Sequence, residues 1–164
     1  MGSVIKINVI YSRPFWRDAG LNGAVVCPDA DSPIQITYDN SPITSSEGVI
    51  VTFISGQYGR KHFSSTSEHR KQLVLARLVA FFGAEAANPI AYHDTVWAAN
   101  ELALGAYGSY NPPGVLTAFK DALSCTKVGP ICFAGDGTSE KWQGYMEGAI
   151  CSGQRAAREA CDAI

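Results

Sequence analysis

Hydrophobic and polar positions alternate from the fourth residue onward. In Val4–Tyr11, Ile5, Ile7, Val9 and Tyr11 fall on one face of a strand, and Lys6 and Asn8 fall on the other with Val4 and Ile10. A lysine there predicts an edge strand or a solvent-facing side. Arg13–Leu21, RPFWRDAGL, is aromatic and turn-rich and ends this strand. Short strands follow at Gly23–Cys27 and Ile34–Tyr38, divided by a loop holding Pro28, Asp29, Asp31, Ser32 and Pro33. Asp39–Gly48 is turn chemistry. Val49–Ile54 is a continuous apolar strand, followed by Ser55, Gly56 and Gly59. This meander predicts an antiparallel or mixed sheet.

The period then changes. Ser65–Glu68 fits an S-x-x-E capping box, and Leu73, Leu75, Ala76, Leu78, Val79 and Phe82 give an amphipathic helix that stops at Gly83. Ile90–Val96 reads as a further strand, and Trp97–Ala103 as a short helical or irregular piece. Gly105–Gly114, GAYGSYNPPG, excludes a regular element yet holds Tyr107 and Tyr110. A stiff loop presenting aromatics either walls a ligand site or plugs the gap between sheet and helix. Val115–Leu123 predicts a helix, and Ser124–Val128 leads into the last stretch.

Gly129–Ala160 predicts a strand at Ile131–Ala134, a loop, and a helix starting near Trp142. Gly144, Gly148, Ser152, Ala156 and Ala160 recur every four residues and stack along one side. Glycine inside a helix costs roughly 1 kcal/mol relative to alanine, so the small residues need a reason. Close packing is one. A helix N-terminus resting on an electron-rich ligand is the other. The pattern leaves both open.

Composition narrows the function. A chain of 164 residues, 46% hydrophobic and 17% charged, builds one globular core rather than a disordered segment. Net charge is −2 with no basic block, which argues against a nucleic-acid partner. No apolar run approaches the roughly 20 residues of a membrane span, and the opening MGSVIKINVIY lacks the features of a signal peptide, so a cytoplasmic location is expected. Cys27, Cys125, Cys132, Cys151 and Cys161 have no metal-type spacing and read as reduced, buried thiols. His62, His69 and His93 read as surface residues. No metal site and no hydrolytic triad are supported. G-x-G-x-x-G is absent, because Gly135-Asp136-Gly137 runs on to Glu140. What remains is aromatic and small-residue chemistry around Lys6.

The stretch from Phe133 to Glu159, FAG-x-x-T-x-x-x-W-x-GYMEGA-x-x-SG-x-RAARE, resembles the carboxy-terminal signature of flavin-dependent amine oxidases, most closely the monoamine oxidase branch. MGSVIK with Pro14–Arg17 (PFWR) resembles the family's lysine-bearing strand, and Trp97 with G-x-Y-x-x-Y-x-PPG at Gly105–Gly114 matches its middle. The resemblance implies an α+β fold: a mixed-sheet substrate domain with flanking helices over 1–128, and the FAD-contacting strand–loop–helix over 129–164. The family's Rossmann half is absent from this sequence. The resemblance implies FAD as cofactor, and a small amine and oxygen as substrates. Tyr107 and Tyr145 match the aromatic cage around the amine, and ring faces do attract amines and cations. Lys6 matches the lysine that reaches the flavin through a water and assists oxygen. Trp97, Gly135, Asp136, Gly144 and Met146 match flavin contacts, and Gly56 falls near a position lining the substrate cavity.

Departures refine these expectations. Ala106 stands where mitochondrial members carry the cysteine bonded to the flavin, so non-covalent FAD is implied. Asp136 followed by Gly137 differs from the family's pattern at that contact. The chain alone is expected neither to hold FAD tightly nor to turn over amine; the expected partner is a separate amino-terminal half carrying the dinucleotide cradle, or further copies in a homo-oligomer. A polyamine oxidase, with Glu101 or Glu140 serving a second amine, and a truncated non-catalytic interaction module are the alternatives.

Overall fold

The computed structural model describes residues 1–108, 111–119 and 126–163, arranged as two compact units, Met1–Tyr107 and Gly108–Ile164. The first unit is built on β1 (Val4–Tyr11), β2 (Val25–Val26), β3 (Ile36–Asp39), β4 (Gly48–Ser55) and β5 (Ala91–Val96). These pair antiparallel throughout in the order β2-β3-β4-β1-β5. The antiparallel alternative is therefore the one adopted. β1 lies inside the sheet, between β4 and β5, so Lys6 is not on an edge strand. It is half-buried on a sheet face.

Period-two alternation determines what each face of β1 carries. Ile5, Ile7, Val9 and Tyr11 are buried with Ile50 and Ile54 of β4 and with Val74 and Leu78 of the following helix. That helix, α2 (Ser67–Phe82), begins one residue later than the S-x-x-E pattern predicts. Thr66 is its cap: the Thr66 hydroxyl accepts the His69 N–H at 3.2 Å, so the N–H three residues on finds its oxygen from Thr66 rather than Ser65. Gly83, at φ +89°, ends it.

Gly56–His62 forms a helix, α1, where the sequence pattern placed no element. Its glycines obscured it. Gly56 opens the helix at φ +60°, and at Gly59 a Cβ would lie 2.4 Å from the Ser3 carbonyl oxygen. Glycine is present there because two backbones touch, not because the chain turns. His62, at the end of α1, is buried with its ring 5.6 Å from that of His69, so it is not a surface histidine; burial pushes it below its ordinary titration range. Nor are the thiols fully buried. Cys27, Cys132 and Cys151 are half-buried and Cys161 is exposed, all of them free; Cys125 lies outside the described residues.

The PFWR segment closes the end of the core. Phe15 and Trp16 pack edge-on against Tyr11, with ring centroids 5.1 and 6.0 Å away. Asp39 accepts hydrogen bonds from the Trp16 indole at 2.9 Å, Arg17 Nε at 2.9 Å, and the Ser41 hydroxyl and N–H at 2.5 and 2.9 Å. Burial alone would raise its carboxyl, but these donors outweigh it and hold Asp39 at about 2, below the ordinary 3.8. A depressed folded pKa stabilises the protein above the unfolded value, and that contribution is lost as pH falls through the folded one. We expect wild type to lose urea resistance between about pH 4 and pH 2, and Asp39→Asn to flatten that part of the profile. Parallel profiles for the two proteins would contradict this.

The second unit holds α3 (Val115–Ala118), a two-stranded antiparallel hairpin of β6 (Lys127–Val128) and β7 (Ile131–Cys132), and α4 (Met146–Cys161). The predicted continuation of α3 through residues 120–123 lies outside the described residues, as do Tyr110 and Ser124. α4 starts at Met146 rather than near Trp142, because Trp142 (φ +57°) and Gly144 (φ +82°) take left-handed conformations that a right-handed helix excludes. Gly144 is thus a turn residue, and the small stripe within the helix begins at Gly148. There a Cβ would stand 2.2 Å from the Trp142 carbonyl oxygen. Gly148 and Ser152 are buried. Among the described residues no helix is long and apolar enough to cross a membrane.

Candidate active site

The register of the first unit brings distant residues together. Lys6 lies opposite Phe53 of β4 and Thr95 of β5. Trp97 follows directly on β5 in a short 3-10 turn. The loop after it is tied back at two points of the backbone. The Gly105 N–H donates to the Trp97 carbonyl at 3.1 Å, the Ala106 N–H donates to Gly2 at 3.1 Å, and Ala106 bridges to Gly2 in an antiparallel pair. Gly105 allows this approach: at φ +145° its Cβ would meet Met1 Cβ at 2.4 Å. The result is a concavity of about 390 Å³ lined by Met1, Lys6, Trp97, Ala103, Gly105, Ala106 and Tyr107.

Three properties of this concavity bear on chemistry. Lys6 makes no hydrogen bond or ion pair among the described residues, so its ammonium is available to a ligand. Tyr107 has φ +56°, a conformation that costs a non-glycine residue on the order of 1–3 kcal/mol and is characteristic of functional positions. Its ring is 66% exposed and meets Phe53 edge-on at 5.7 Å. Partial burial moves the Tyr107 phenol upward, with Tyr38 adding to the shift, so it stays protonated at neutral pH. Ala106 offers no nucleophile. One hollow is thus bordered by a cation, an indole and a phenol ring, surfaces that suit a flat aromatic ligand.

Gly56 is not among the residues lining this concavity. It lies at the start of α1, where its N–H donates to Ser3 at 3.0 Å. Sequence reading missed Phe53. Val49–Ile54 is apolar apart from Thr52, so only pairing with Lys6 reveals which of its residues share the lysine's face.

In the second unit, Tyr145 is the residue before α4, 66% exposed, with its ring edge-on to Trp142 at 6.3 Å. Met146 opens the helix and is 86% exposed. No side chain caps this end. Gly135, at φ +153°, donates its N–H to the Ser152 hydroxyl at 3.0 Å, and Asp136 begins the 3-10 turn that follows.

Comparison with known proteins gives the same direction throughout. A family model described as flavin containing amine oxidoreductase matches residues 1–161. A flavin-containing amine oxidase of Danio rerio is 38% identical over 165 residues, covering 100% of this chain and 31% of the relative. Among solved structures, cyclohexylamine oxidase from Brevibacterium oxydans IH-35A superimposes with a TM-score of 0.87 at 34% identity, covering 99% of this chain and 35% of that one. An A394C mutant of putrescine oxidase, from a redesign of cofactor binding, gives 0.86 at 31% identity, covering 100% and 36%. The chain thus spans about a third of the length of the relatives it matches.

Proposed function

Because this chain belongs to the flavin containing amine oxidoreductase family, we propose that it forms the substrate-facing and part of the flavin-facing portion of an FAD-dependent monoamine oxidase. In this reading residues 1–128 serve the substrate and 129–164 serve the flavin. The observation that carries it is the convergence of Lys6, Trp97 and Tyr107, from three separate segments, on one concavity. Bound FAD supplies a two-electron acceptor that passes the electrons to oxygen as hydrogen peroxide. The amine leaves as an imine, which water hydrolyses to an aldehyde.

The chain's own residues bind, orient and hold charge. The faces of Tyr107 and Tyr145 attract the amine and fix its reacting C–H bond. Trp97 supplies a flat wall. Lys6 holds a water through its ammonium and offers positive charge where oxygen becomes reduced. The N–H groups at the start of α4, by Met146, with Gly135, Asp136 and Gly144 before them, face the cofactor. With alanine at 106 the FAD is held without a covalent bond.

A single amine is favoured over a diamine because, among the described residues, no carboxylate lines the Lys6 concavity; Glu101 is exposed outside it. The test is peroxide formation by the holoenzyme from cyclohexylamine, benzylamine and putrescine. Monoamines should exceed putrescine at least tenfold in kcat/KM, and acid precipitation should release all the flavin. Tyr107→Leu and Tyr145→Leu should each lower kcat/KM about tenfold or more. Unchanged values for both variants would remove the cage, and a preference for putrescine would replace the monoamine reading by the diamine one.

A further inference from the structure

We propose that Ser152 and Arg155 are positioning residues: from one face of α4 they hold the Phe133–Thr138 loop in the conformation that meets the flavin. This rests on the reading above, in which Gly135 and Asp136 contact the cofactor.

The loop has little else to fix it. Phe133 is 44% exposed, and Ala134, Asp136 and Gly137 are exposed too. A Cβ added at Gly135 or Gly137 would meet nothing within 4 Å. A segment with so few packing contacts opens easily unless hydrogen bonds hold it. Two come from outside α4, the Phe133 N–H donating to the Thr126 carbonyl at 2.7 Å and Gln143 Nε2 to the Gly137 carbonyl at 2.8 Å; the side-chain bonds to Phe133, Gly135 and Thr138 come from α4. The Gly135 N–H donates to Ser152 Oγ at 3.0 Å. Ser152 is 1% exposed, and its hydroxyl donates to the Ala149 carbonyl at 2.9 Å, so its lone pair is aimed at the loop. Arg155 Nη2 donates to the Phe133 carbonyl at 2.9 Å and to Thr138 Oγ1 at 3.3 Å, bracketing the loop at both ends. The Thr138 hydroxyl closes the bracket by donating to the Gly135 carbonyl at 3.0 Å.

The arginine is itself immobilised. Its Nη1 meets both carboxylate oxygens of Glu159, at 3.0 and 2.9 Å, and Glu159 also accepts from Thr126 Oγ1 at 3.3 Å. Positions 152, 155 and 159 share a helix face by their spacing. A planar fork with one nitrogen on Glu159 and the other on two loop acceptors needs a guanidinium; an ammonium cannot span both.

The test uses the flavin-loaded protein and its Ser152→Ala, Arg155→Met and Arg155→Lys variants, read by FAD dissociation constant, amide hydrogen exchange over residues 133–138, and kcat at saturating FAD. Ser152→Ala should weaken FAD binding about tenfold, speed exchange at Gly135, and leave kcat within about twofold once FAD saturates. Arg155→Lys keeps a cation beside Glu159 but should weaken FAD as Arg155→Met does. If Arg155→Met fails to fold, Arg155→Lys and Ser152→Ala carry the test. Wild-type affinity in Ser152→Ala and Arg155→Lys would overturn the proposal while the flavin reading stood. Exchange over 133–138 that FAD does not slow in the wild type would overturn both.

Discussion

Replacing Lys6 with methionine is expected to slow oxygen consumption by the amine-reduced holoenzyme by about 100-fold, with the fold intact. The side chain sits in the middle of β1, half-buried, over the concavity it shares with Trp97 and Tyr107. It has no anionic partner among the described residues, so the substitution strands no buried charge. Methionine retains the length and apolar contacts of the stem and removes only the ammonium. If that charge stabilises reduced oxygen, the amine half of the reaction should slow far less than the oxygen half. Rapid mixing separates the two: anaerobic reduction by amine, then reoxidation by aerated buffer. Reoxidation within threefold of wild type would sink the assignment and return Lys6 to a lysine whose stem merely lies along a sheet face.

Arg70→Met is expected to cost the fold about 3–5 kcal/mol, the largest stability effect of any single exchange considered. Arg70 and Asp94 meet with Nε 2.7 Å and Nη2 3.1 Å from the carboxylate, both side chains only 7% exposed. Arg70 also donates to the His62 and Ser65 carbonyls, which joins the end of α1 to the start of α2. Asp94 further accepts from Ser67 Oγ and Tyr92 OH, each at 3.2 Å. Burial pushes the Asp94 carboxyl upward, and the Arg70 guanidinium outweighs it, keeping the group below its ordinary range and ionised. Without Arg70 a carboxylate remains under α2 with neutral donors only. The double replacement Arg70→Met with Asp94→Leu should recover most of the loss, since removing both charges removes the desolvation penalty. Urea unfolding of the two variants decides this. A single variant within 1 kcal/mol of wild type, or a double variant no better than the single, would contradict it.

Both expectations concern β1 and β5, and the sequence showed unequal amounts of each. The alternation of Ile5, Ile7, Val9 and Tyr11 determined β1 to the residue, because a strand buried on one face must repeat at every second position. Ile90–Val96 was legible as a strand, one residue longer than the observed Ala91–Val96, but Asp94 carries no sign of burial. Its side chain is shielded only because pairing with Ile7 turns it toward α2, where Arg70 waits 24 positions earlier in the chain. The helix α1 and the start of α4 were misjudged for a related reason. Glycine signals a turn when it takes a left-handed conformation, as Gly144 does. It signals close backbone approach at Gly59 and Gly148, whose backbones take no such conformation. A one-dimensional pattern does not separate these cases.

By itself the sequence determined the strand and helix faces, the family resemblance, and the residue types a flavin and an amine require, since those depend on local period and on side-chain chemistry. Only tertiary structure decided that Lys6 lies within the sheet, that Phe53 meets Tyr107, and that Ser152 and Arg155 grip the Phe133–Thr138 loop. Strand register and the approach of a helix to a loop are set by pairings between residues far apart in the chain. No neighbouring residue records them.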